Sequence, residues 1–161
     1  MTSQKNFRVL YFPEILEDES RLVTDFSFLP KFNMLPLQKT CSLTFSLRDA
    51  PISVVDYQFE PMILGQNMPA SKEDLYKIYD VYGELFQSTG HKIGGYPDFT
   101  QSDPRMIAKY KNAEYILLFQ MDTDGEADIL WGDLGVGNFF ILPQHLEQRD
   151  FSEVLYNWDC Y

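Results

Sequence analysis

The run Tyr115-Ile116-Leu117-Leu118-Phe119-Gln120-Met121, closed by Asp122-Thr123-Asp124-Gly125, limits the fold more than any other segment. It is apolar almost without break, too short for a buried helix, and ended by turn-forming residues. It therefore reads as a strand central to a sheet. Before it lies His91-Lys92-Ile93-Gly94-Gly95-Tyr96-Pro97, and after it come Ile129-Leu130-Trp131-Gly132-Asp133-Leu134-Gly135 and Asn138-Phe139-Phe140-Ile141. Both tryptophans of the chain also fall between residues 91 and 161, so the core is expected there.

The remaining elements follow from local pattern. Phe7 to Phe12 is β-rich and stopped by Pro13, which predicts a first strand. Cys41 to Leu47 alternates with period two, Cys41, Leu43, Phe45 and Leu47 against Ser42, Thr44 and Ser46. That alternation predicts a half-buried antiparallel strand. Ile52 to Phe59 is expected to be extended. Residues 22–38 hold Pro30 and Pro36 among Phe26, Phe28, Leu29, Phe32, Met34 and Leu35. Prolines at that density forbid a long helix and predict an irregular apolar segment over the core.

Residues 71–89 carry the main helix. Leu75, Ile78, Tyr79, Tyr82, Leu85 and Phe86 recur at helical spacing, Ser71 can cap the start, and Glu73 and Asp74 lie in the first turn. Gly90 stands where a left-handed terminal residue is wanted. The aromatic stripe is expected to pack on the core, not to form a cofactor slot. Asp103-Pro104 starts a short helix to about Asn112. Asp128 to Trp131 and Val136 to Leu142 form a hairpin, Pro143 starts a helical turn to Gln148, and Phe151 to Trp158 gives a last strand. The order predicts an α+β fold over residues 1–161 as one domain: a mostly antiparallel sheet, one main amphipathic helix and short helical turns.

Composition excludes several classes. With 13 Lys+Arg against 24 Asp+Glu the formal charge is −11, and no basic block offsets it, so nucleic acid is not an expected partner. No run reaches the roughly 18–20 apolar residues of a membrane span, and Met1 to Asn6 lacks the apolar core of a secretory signal. A cytoplasmic protein without a membrane partner is the simplest reading. Cys41 and Cys160 are far apart with no CxxC spacing and are expected to be free, mostly buried thiols. Glu14, Glu17, Asp18 and Glu19 read as a wet surface.

Candidate chemistry is sparse. Gly94-Gly95 fits neither a dinucleotide nor a phosphate-loop motif, and is a structural turn or, less simply, a ligand loop. Asp122, Asp124 and Asp128 are spaced to surround a hard cation. Counted as a calcium loop, however, the segment puts Ala127 where glycine is needed and Asp133 where glutamate is needed, so an acidic turn is expected and no metal. His91 beside Lys92, at the mouth of the glycine turn, is the better functional candidate of the two histidines. Asp133 is expected to cap its turn, or else to join Trp131 and Tyr96 as a stacking surface for a small ligand. The candidate ligand-binding set is thus His91, Lys92, Gly94, Gly95, Tyr96, Trp131 and Asp133.

Taken together, HKIGGYPDFTQSDPR (91–105), YILLFQMDTD (115–124), ILWGDLGVGNFFI (129–141) and DFSEVLYNWDCY (150–161) resemble the bacterial YwqG-like family, a domain of unknown function with an α+β fold. The matching residues are His91, Lys92, Gly94, Gly95, Pro97, Gln120, Asp122, Trp131, Gly132, Asp133, Gly135 and Phe139. The resemblance implies no activity, substrate or cofactor. Family members are typically longer at the N-terminus, which implies that an N-terminal portion is missing here. Copies of this chain are then expected to associate through the surface that portion would cover.

Three functional readings remain. The first is a non-enzymatic binding or interaction module taking a small molecule or a protein. The second is an enzyme, perhaps a hydrolase, using His91 with Asp122 or Asp133 as an acid–base pair. The third is a structural or assembly protein acting through the apolar stretch 26–37.

Overall fold

The computed structural model describes residues 7–25, 27, 35–37, 39–107, 109–111 and 113–161. Three strands, β1 (Ile116–Asp122), β2 (Val136–Ile141) and β3 (Leu155–Asp159), form an antiparallel sheet in the order β1-β2-β3. With the main helix α1 (Lys72–Leu85), the short α2 (Pro143–Glu147) and single helical turns, the fold is α+β. Among the described residues no helix is long and apolar enough to cross a membrane.

The sheet has two chemically different faces. On one, Leu117, Phe140 and Leu155 are cross-strand neighbours and pack with Phe99, Tyr110 and Tyr115. Gln120 and Asn138, directly opposite each other and fully buried, extend this face. On the other face Phe119, Phe139 and Tyr156 stand in a row, their rings stacked at 6.1 and 4.8 Å. A β-bulge between Leu117 and Phe119 separates the two sets. The extra residue, Leu118, shifts the alternation, so that Phe119 faces away from Leu117 and Gln120 takes the inner side.

α1 begins as its sequence requires. The Ser71 Oγ accepts the Asp74 amide at 3.1 Å and donates to the Asp74 carboxylate at 2.7 Å. Leu75, Ile78, Tyr79 and Tyr82 pack on a second cluster of Ile52, Phe59 and Leu64. The helix ends at Leu85, earlier than its apolar spacing predicts, and Leu85 and Phe86 are left exposed. Past that point the chain turns to the sheet, where the Ser88 carbonyl accepts both Lys92 Nζ and Gln120 Nε2. Gly90, with φ +91°, therefore lies in the crossing segment and not at the helix end.

Several expected strands are absent. Phe7 to Phe12 forms no ladder; its rings pack instead, Phe7 on Phe139 and Tyr156 and Tyr11 on Phe151. Cys41 to Leu47 is likewise unladdered; Cys41 is half-buried, but Leu43, Phe45 and Leu47 are at least 75% exposed, so beyond Cys41 its apolar side covers no described residue. Ile52 to Phe59 turns, and then runs into one π-helical turn at Glu60–Leu64. β2 pairs with β1 and not with Asp128 to Trp131, which makes only bridges through Ile129 to Leu37 and Asp124. β1 is consequently an outer strand and β2 the central one. Of the expected helix from Asp103 a 3-10 turn, Pro104–Met106, forms, capped by Asp103 through the Arg105 amide; Asn112 lies outside the described residues. Phe26, Phe28, Leu29, Phe32 and Met34 of the predicted apolar segment also lie outside them. Cys41 and Cys160 are free, half-buried thiols.

Candidate functional site

The glycine-turn segment docks on the outer edge of β1. Lys92 exchanges both backbone hydrogen bonds with Gln120, at 3.0 and 2.8 Å, and Gly94 and Gly95 then reverse the chain at φ +72° and +74°. The Gln120 side chain fixes the returning segment. Its Oε1 accepts the Asp98 amide at 2.7 Å, and its Nε2 donates to the Gly90 carbonyl at 2.9 Å. Asn138 Nδ2 donates to the Asp98 carbonyl at 2.8 Å, and Ser53 donates to the Asp98 carboxylate at 2.6 Å.

His91 is engaged through both ring nitrogens. Nδ1 accepts the Asp122 amide at 3.0 Å, which leaves the proton on Nε2, 3.2 Å from the Asp124 carboxylate. The Asp122 carboxylate is spent elsewhere, on the amides of Gly90 at 2.6 Å and Thr123 at 2.8 Å. Asp124 also accepts the Ala127 and Glu126 amides at 3.0 and 2.8 Å; the Ala127 amide, His91 and the Glu126 amide together hold its carboxyl below the ordinary carboxylate range. Asp128 adopts φ +57° in the same turn. Among the described residues no group of three His, Cys, Asp or Glu side chains is arranged to hold a metal ion.

Lys92 Nζ donates to the Ser88 carbonyl, and its burial lowers its pKa from 10.5 to about 8 even though Asp98 and Asp122 act in the opposite direction. Sequence reasoning missed a second buried charge cluster. Arg105, Asp103 and Asp56 are almost wholly inaccessible, with the guanidinium 2.6 Å from Asp103 and 2.8 Å from Asp56. The guanidinium also lies 4.7 Å from the Tyr57 ring centre. Burial holds the Asp56 carboxyl above its ordinary value despite Arg105 beside it. The cluster is internally hydrogen-bonded and reaches the Tyr115 carbonyl, so it ties the 53–58 turn and the 103–106 turn to the sheet.

Trp131 lies on the opposite face of the sheet. Gly137 and Asn138 are successive residues of β2 and so point to opposite sides. The Trp131 ring takes the space over Gly137, whereas Asn138 reaches Asp98. Tyr96 packs toward the α1 cluster, its hydroxyl 3.6 Å from the Met62 sulfur. Trp131 and Tyr96 therefore form no common stacking surface. Asp133 is exposed in a tight turn, where its carbonyl accepts the Tyr161 amide at 3.1 Å.

What Trp131 does border is a groove of about 560 Å³ on the aromatic face. Leu118, Phe119, Met121 and Phe139 also line it, between the Arg8–Leu10 strap and the Leu35–Leu37 strap. The second strap is held by the Leu37–Ile129 bridge and by the Leu130 amide donating to the Pro36 carbonyl at 2.9 Å. A volume of this size falls within the roughly 300–1,000 Å³ of small-molecule sites. Of its lining, sequence reasoning had placed only Trp131 in the candidate ligand-binding set; Phe139 stood as a motif residue and Leu35 to Leu37 as part of an assembly surface. The bulge that brings Leu118 and Phe119 to this side leaves no mark in the sequence.

A family model described as a domain of unknown function, DUF1963, matches residues 1–160. The chain belongs to this DUF1963 family. No curated protein matches it. Two of the motif residues in this DUF1963 chain have clear structural duties: Gln120 anchors the 90–98 segment, and a side chain at Gly135 would fall 2.0 Å from the Asp159 carbonyl.

Proposed function

We propose that this DUF1963 chain is a cytoplasmic, non-enzymatic binding module of the YwqG-like kind, a single domain whose ligand lies in the groove on the aromatic face of the sheet. The groove itself carries this reading. It is the apolar concavity bordered by Trp131, Phe119 and Phe139, while the polar residues of the opposite face are engaged with one another and with backbone groups. An acid–base role for His91 has less support, since its carboxylate partner is Asp124, itself committed to two turn amides. The formal charge of −11 argues against nucleic acid and anionic membrane surfaces as partners.

Thermal unfolding against a panel of small apolar molecules tests the proposal. A ligand of the folded state at about a hundredfold excess over its dissociation constant adds roughly 2.7 kcal/mol. The shift is expected to survive His91→Ala and to vanish in Met121→Trp, which fills the groove. A shift lost in His91→Ala but kept in Met121→Trp moves the site to the glycine turn.

A second reading rests on one observation, the outward apolar side of Leu43, Phe45 and Leu47. In it, copies of the chain associate by pairing this extended segment. Light scattering over a concentration series is then expected to show an oligomer that Phe45→Lys dissociates. A monomer at every concentration removes this reading.

A further inference from the structure

Building on the groove as the binding site, we propose that its ligand is a free straight-chain carboxylate, with the alkyl chain in the groove and the carboxylate paired with Arg8. Two features of the lining select this class. Among the described residues every lining residue except Arg8 is uncharged, and the floor is made of Leu118, Phe119, Met121 and Phe139, so an alkyl or similarly apolar body is matched along the groove. Arg8 is exposed at the rim and makes no ion pair within 4 Å to an acid among the described residues. A guanidinium fork matches a carboxylate in two parallel hydrogen bonds.

Charge complementarity narrows the choice. The chain carries 24 acidic against 13 basic side chains, yet the one charge among the described residues of this otherwise apolar slot is positive. A cationic amphiphile would meet like charge at the rim, and a neutral one would leave the guanidinium unused. The same acidic excess repels an anionic bilayer, which favours a monomeric ligand taken from solution over a lipid surface.

The test uses decanoate and decyltrimethylammonium below their micelle-forming concentrations and decanol below its solubility limit, in calorimetric titrations of the full chain. Decanoate is expected to bind roughly two- to fivefold more tightly than decanol, the scale of one solvent-accessible ion pair. Arg8→Gln is expected to reduce decanoate to the affinity of decanol while leaving decanol unchanged. Equal binding of decanoate and decanol, unaffected by Arg8→Gln, overturns the carboxylate assignment and leaves the groove standing as a site. Tightest binding by decyltrimethylammonium also overturns it. No binding by any probe, or binding that survives Met121→Trp, overturns both the assignment and the groove. Should Met121→Trp fail to fold, Leu37→Trp at the exposed rim blocks the same slot.

Discussion

The ring of Trp131 fills the place of a side chain at Gly137, where an added Cβ would lie 2.4 Å from the ring. This contact joins the 131–135 turn to the centre of the sheet and shapes one end of the groove. Gly137→Ala forces the indole to move. Overpacking of this kind costs about 1–3 kcal/mol, to be read as a lower urea midpoint. An unchanged midpoint would mean that the ring repacks freely and that the groove wall is soft.

The buried cluster of Arg105, Asp103 and Asp56 holds two carboxylates around one guanidinium. Arg105→Met leaves both acids buried without a cation, a change expected to cost about 3–5 kcal/mol. Equilibrium denaturation measures it. A loss under about 1 kcal/mol would contradict the role assigned to this cluster.

Burial of charged Lys92 opposes folding, because its pKa falls from 10.5 to about 8. Between those values the unfolded chain binds more protons than the folded one, so stability contributed at this site rises with pH across that interval. Below about 8 the penalty is fully present. Relative to Lys92→Met, the native chain is expected to gain stability as pH increases from 8 toward 10.5. A difference independent of pH would refute the assignment.

At the start of α1, Ser71→Ala removes the acceptor for the Asp74 amide and is expected to cost about 1 kcal/mol, with Ser71→Asn close to neutral. Circular dichroism during thermal melting distinguishes the two variants. Similar melting of both would show that the cap carries little of the helix's stability.

Features set by neighbouring residues were legible in the sequence; features set by distant ones were not. Ser71 and its first turn, the start of α2 at Pro143, and the β1 strand follow from local spacing and capping. The alternation at Cys41 to Leu47 is equally plain, but a strand also needs a partner, and none pairs with it among the described residues. The groove escaped notice for the same physical reason. Strict alternation from Leu117 would put Phe119 on the inner face, and only the register of β1 against β2 reveals the shift at Leu118. Trp131 was visible as a candidate, whereas its neighbours across the groove come from segments far away in the chain.

The most direct test of the account is methyl and amide chemical-shift mapping of decanoate and decanol on the full chain. Perturbations confined to the groove lining, Leu10, Leu35, Leu37, Leu118, Phe119, Met121, Trp131 and Phe139, with Arg8 shifted by decanoate and not by decanol and Ser88 to Asp98 unmoved, are the predicted result. Perturbations centred on His91 to Tyr96, or none at either face, would contradict it.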